Sequence, residues 1–183
     1  MPTKIVETHG RKELLEAIKP ELAALVPLTI KDGFAVERGR VLGVITAEGL
    51  GRKRTRTPAT GAGFAVNSPV GHVADASVFV AGDVLTKADG TNIGTIQSVN
   101  ISANTVTLTG NAAVAVTAGA DVLGSDGSQV AQAISDDASD GVGNTTVSVF
   151  ISGLLKQAKL IGLDASAKTE LSGASVAGDI FKF

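Results

Sequence analysis

From Leu28 onward the chain is cut into short β-prone runs by Gly, Asp and Asn, and this punctuation constrains its fold more than any other feature. Helices need longer uninterrupted stretches with apolar residues at a 3.6 spacing, whereas strands of about four to eight residues fit between such turn residues. Thr105-Val106-Thr107-Leu108-Thr109 alternates with period two, which puts its apolar residues on one face. Strands are expected at Phe34–Val36, Arg40–Thr46, Ser77–Val80, Gly82–Thr86, Ile93–Val99, Thr105–Thr109, Ala113–Val116, Val130–Ile134 and Val147–Ile151. Turns are expected at Ala47–Gly49 and Asp89–Gly90. Many short strands at this spacing point to an all-β sandwich or barrel.

A weak internal repeat agrees with that reading. Gly39-Arg40-Val41-Leu42, Gly82-Asp83-Val84-Leu85 and Gly119-Ala120-Asp121-Val122-Leu123 recur at intervals of roughly 40 residues. The last two are each followed by an Asp-Gly turn, Asp89-Gly90 and Asp126-Gly127. A glycine bend into a buried Val-Leu pair, leaving through a tight turn, is a hairpin device. It reads as structural repetition, not as a repeated site.

The two ends have a different pattern. Leu14, Leu15 and Ile18 share one face at helical spacing, and Leu22 and Leu25 continue the stripe. Pro20 interrupts it and Pro27 closes it, so Arg11–Val26 is expected as one broken helix or two short ones. Such a helix either packs on its own domain or serves as an arm for a neighbouring protein. Near the other end, Asp164 is suited to cap a helix over Ala165–Leu171, with Gly173 at its C-cap. Ala177–Phe183 is expected as a terminal strand with Phe181 and Phe183 on one face.

Composition removes several classes of function. With 183 residues, 44% hydrophobic, the chain can bury about 70% of its unfolded surface in an ordinary core. It has no Cys, hence no disulfide framework, thiolate metal site or cysteine nucleophile. A net charge of -2 argues against a nucleic-acid coat or a polybasic membrane protein, so neither specific nucleic acid nor membrane is expected as a partner. The N-terminus has no apolar signal core, and no run approaches the roughly 20 apolar residues of a membrane helix. Six Phe and no Trp or Tyr leave little for sugar or single-strand stacking.

The search for catalytic groups is thin. His9 and His72 are the whole imidazole supply and neither has a motif around it. Two lone histidines fall short of a zinc set, so no metal and no cofactor are expected. Thr60-Gly61-Ala62-Gly63-Phe64 lacks the rest of a phosphate-loop pattern, and its glycines read as a turn. Ser135–Gly141 is the densest acidic run, without EF-hand spacing, and reads as an exposed loop. Gly51–Pro58 carries the one basic cluster, Arg52, Lys53, Arg54 and Arg56. It is either a solvated loop or a contact for phosphates or a carboxylate-bearing protein surface, and without aromatic interleaving the protein surface is the better functional candidate. An enzyme is not expected.

The C-terminal stretch Ala158–Lys168, with the close at Gly178–Phe181, resembles the end of tailed-phage head decoration proteins of the lambda type. Ser125–Ile134 is similar to the segment those proteins carry before their last strands, and Val147–Gly153 to the strand between. The resemblance implies a mainly β fold, a compact antiparallel barrel or sandwich (β-tulip-like) with a short C-terminal helix and an N-terminal arm; the helical character of that arm, read from the residues above, and the basic cluster depart from the short members of the family. The resemblance divides the chain into an arm over 1–31 and a β-rich decoration domain over 32–183. It further implies a homotrimer on the outer surface of an icosahedral virion, made in the host cytoplasm, with the major capsid protein as partner. The arm would supply Ile5, Val6, Leu14, Leu15 and Ile18 to the capsid contact, and the basic cluster is a second candidate contact. The work would be cementing, by strand docking and avidity. Another virion or surface β module, such as a head fibre base or adhesin domain, is the alternative.

Overall fold

Pro27 falls inside a strand. Leu25–Ile30 is β1, paired antiparallel along its length with Thr145–Phe150, β11. On its other side β1 meets Leu50–Lys53, β3, only at Ile30↔Gly51, so the missing N–H of Pro27 breaks no ladder there. Leu25 and Val26, expected at the close of a helix, are therefore extended. The rest of that expected helix lies outside the described residues, which in this computed structural model are 24–173 and 181–182.

Among the described residues the chain is mainly β, with two principal sheets and one short helix toward its C-terminal end. It divides into two compact units, and it passes between them after Gly43, Gly49, Lys53 and Val130. The first unit holds the described residues up to Gly43, Leu50–Lys53, and those from Ala131 on; the second holds Val44–Gly49 and Arg54–Val130.

In the first unit the strand order is β1, β11, Ala133–Ser135 (β10), Val41–Ile45 (β2), then β3. Gly153–Leu154 (β12) pairs in parallel with Phe181–Lys182 (β13), the described part of the expected terminal strand. Helix α1, Ala165–Gly173, begins where Asp164 predicts: the Ala167 N–H donates to Asp164 Oδ1 at 2.6 Å, and Ser166 Oγ to the same oxygen at 2.7 Å. Its Ala167 and Leu171 are fully buried with Val41, Ala131, Ile134, Phe150 and Leu155. Glu170 Oε2 accepts the Ala131 N–H at 2.7 Å, fixing the helix to the residue that leads into β10.

In the second unit the pairing order is Arg56–Phe64 (β4), Val70–Val73 (β5), Thr105–Leu108 (β8), Asn92–Asn100 (β7), Val84–Lys87 (β6) and Asp121–Gly124 (β9). β9 then pairs with β4, so the pairings return to their starting strand. The alternation in β8 is as expected: Val106 and Leu108 are buried while Thr105 and Thr107 are half-buried. The repeat has a shared geometry, since Gly39, Gly82 and Gly119 all have positive φ and each precedes a strand with a buried Val or Leu.

Several expected strands differ. Ser77–Val80 is not a strand; Ala76–Val78 is a 3-10 turn, because Asp75 Oδ1 accepts from the Ser77 N–H at 2.9 Å and closes the backbone there. Phe34–Val36 and Ala113–Val116 are reduced to single bridges, Val36↔Ser139 and Phe64↔Val116. Gly61 and Gly63 serve no simple turn: both have positive φ within β4, whose register with β5 shifts between Ala59 and Phe64. At Gly63 any Cβ would overlap the Val116 carbonyl.

Candidate functional site

The basic cluster is the most charged part of the sequence, and the expectation of a solvated loop is corrected. Gly51, Arg52 and Lys53 belong to β3, and Arg56 starts β4. Arg52 is only 2% exposed, Arg54 4% and Lys53 9%. A string of cations can be buried only where each charge meets a partner, and those partners come from distant parts of the sequence.

In the first unit the Arg52 guanidinium carbon lies 4.2 Å from the centroid of the Phe34 ring, over its electron-rich face. Lys53 Nζ lies 3.3 Å from Glu37 Oε1, and Glu37 Oε2 accepts from Arg40 Nε at 3.0 Å. Glu37 thus holds two cations. Burial pushes its carboxyl up, but the hydrogen bonds from Arg40 and the backbone, with the charges of Arg40 and Lys53, bring it below the usual glutamate range. In the second unit Arg54 Nε donates to the Gln129 carbonyl at 3.0 Å. Arg56 donates through Nε and Nη2 to Asp121 Oδ2, at 3.0 and 2.5 Å. Every one of the four cations has an internal partner.

The acidic run is likewise only partly an exposed loop. Asp137, Ala138 and Asp140 are exposed, but Ser135 and Asp136 are buried. Asp136 Oδ1 receives Arg38 Nη2 at 2.8 Å, and the Asp136 N–H donates to the Ser148 carbonyl at 2.8 Å. The run bends inward because a carboxylate at 136 faces a guanidinium nearly a hundred residues earlier in the chain. Asp32, Asp140 and Asn144 cap the adjoining turns: the Val142 N–H donates to Asp140 Oδ1, the Gly143 N–H to Asp32 Oδ1, and the Asp32 N–H to Asn144 Oδ1.

His72 stands on the exposed face of β5, across from Thr105. His9 and the arm candidates Ile5, Val6, Leu14, Leu15 and Ile18 lie outside the described residues. Among the described residues no group of three or more His, Asp or Glu side chains is placed to hold a metal, and no helix is long and apolar enough to cross a membrane.

Phe34 and Glu37 are the partners that sequence reasoning missed, and Asp136 was read within the acidic run as part of an exposed loop. Only the Glu37–Arg40 spacing carries a local signal; the other partners are far apart along the chain. Comparison with known protein families, with curated proteins and with solved structures gives no match.

Proposed function

We propose that this chain is a structural virion protein that binds the outer surface of an icosahedral phage capsid and cements neighbouring major capsid protein subunits against internal DNA pressure. The observation that carries the reading is the stretch bearing the resemblance. Ala158–Lys168 runs into a capped helix whose Ala167 and Leu171 are buried in a β unit, as the resemblance implies for the close of such a protein. In this reading each closed order of strands is a small barrel or sandwich, the assembly is a homotrimer, and no catalytic step is involved.

Capsid contact is assigned to the arm, through Ile5, Val6, Leu14, Leu15 and Ile18. Arg52, Lys53, Arg54 and Arg56 are removed from that role, because their charges are met within the chain and burial hides three of them. An apolar arm contact should keep its strength at high salt, unlike a basic one.

The test is stoichiometry. Purified particles should carry this chain near one copy per major shell protein. A handful of copies would move it to a fibre or vertex, and absence would end the virion reading. Deleting Met1–Lys19 should leave a folded protein that no longer binds shells, and undiminished binding would take the arm out of the mechanism.

A further inference from the structure

We infer that Arg54–Val130 is a separately folding insert in the first unit, and that Thr55 and Ser128 form the clasp at its neck. The two ends of the stretch are fastened to each other. The Thr55 N–H donates to the Ser128 carbonyl at 3.2 Å, the two hydroxyl oxygens are 2.8 Å apart, and Arg54 Nε reaches the Gln129 carbonyl at 3.0 Å. Both hydroxyl residues are fully buried.

Proton counting orients the clasp. Ser128 has one hydroxyl proton and donates it to Asp126 Oδ1 at 2.5 Å, so Thr55 is the donor to Ser128 Oγ. Asp126 Oδ1 also takes the Ser128 N–H at 3.0 Å, and the Thr55 carbonyl receives the Gly124 N–H at 2.8 Å. A buried chain of satisfied hydroxyls of this kind is stiff and costly to open.

Between the clasped ends the stretch completes itself. Its six strands pair with one another and the order closes without a strand from elsewhere. Its core, from Ala59 to Val122, is drawn wholly from these residues. The core of the first unit, Val41, Ala131, Ile134, Phe150, Leu155, Ala167 and Leu171, draws on none of them. An insert whose ends are held together costs its host little more loop-closure entropy than a short loop would. Local opening can then be confined to one unit.

The second unit also takes in Val44–Gly49, where the Thr46 N–H donates to the Asp126 carbonyl at 2.9 Å. The boundary falls inside β2, after Gly43. The Val41 N–H, bonded to the Ile161 carbonyl at 2.9 Å, belongs to the first unit, and the Thr46 N–H, just past the end of β2, to the second.

Native-state hydrogen exchange on the full chain tests this, with wild type, Phe64→Leu and Thr55→Val compared. Phe64→Leu should speed exchange about tenfold or more at the amides of Thr46, Ile96, Leu108 and Val116, and leave Val41, Ser135 and Ile161 within about twofold. Thr55→Val keeps the shape and removes the hydroxyl; it should speed Gly124 and Leu108 about tenfold, again sparing the first unit. Amides of both units accelerating together would show one cooperative body and overturn the insert. Unchanged exchange at Gly124 and Leu108 in Thr55→Val would overturn the clasp.

Discussion

The second unit fills its interior with apolar side chains, from Ala59 and Phe64 through Leu85 and Ile96 to Val122, and its one almost fully buried cation, Arg54, rests on a backbone carbonyl, whereas the first buries charge against carboxylates and a ring beside its apolar core. Arg52, Lys53 and Asp136 are almost out of contact with water there, and each is held by a group distant in sequence. The difference teaches how each unit should fail. An apolar core loses stability in proportion to the volume removed. A buried pair loses it when one partner goes, because the other is left desolvated and unmatched.

The comparison breaks most openly at Phe64, which is 1% exposed in the second unit. Phe64→Ala should cost about 3–5 kcal/mol, read from the urea midpoint. Its ring occupies the space where any Cβ on Gly71 would lie. Gly71→Ala should therefore destabilise by about 1–3 kcal/mol in wild type, and by less when Phe64 is Leu, a coupling that a double-mutant cycle measures.

In the first unit Asp136→Ala should cost about 2–3 kcal/mol, less than a fully buried pair because the Arg38 side chain is 32% exposed. Replacing Asp136 by Asn keeps the volume, so a loss of similar size would show that charge rather than shape matters. Arg56→Gln, which breaks the partly exposed pair with Asp121, should cost about 1 kcal/mol. Equal losses at Asp136 and Arg56 would erase the contrast between the units.

The smallest effect is at Glu37, whose side chain is half exposed. Its carboxyl is held below the ordinary glutamate value of 4.5, so the folded state binds its proton less readily than the unfolded chain. The contribution is fully present above 4.5 and is lost as pH falls through the lowered folded value. The difference in urea midpoint between wild type and Glu37→Gln should accordingly shrink on acidification through that range. A difference that grows would reverse the sign assigned to this carboxylate.

Short β-prone runs bordered by turn residues were legible from sequence: β2, β6, β7, β8 and β11 fall close to where those runs put them, and β8 shows the period-two alternation. Helix α1 was legible from its Asp164 cap. β4 was not, since Thr-Pro-Ala-Thr-Gly-Ala-Gly has low strand propensity and its pairing comes from β5 and β9. β1 was hidden by Pro27 and by Leu25, which extends an apparent helical stripe.

Local chemistry decided where this chain turns: Gly82, Gly90, Gly119 and Gly127 have the positive φ that glycine permits without a Cβ clash, and a reader of the sequence can place those turns unaided. Only the tertiary structure decided the fate of the charges. Whether Arg52 and Lys53 face water or lie inside depends on Phe34 and Glu37 arriving beside them, and desolvation makes burial possible only once those partners are in place. Pairing across such distances follows from the strand order of the sheet, which no local pattern of residues records.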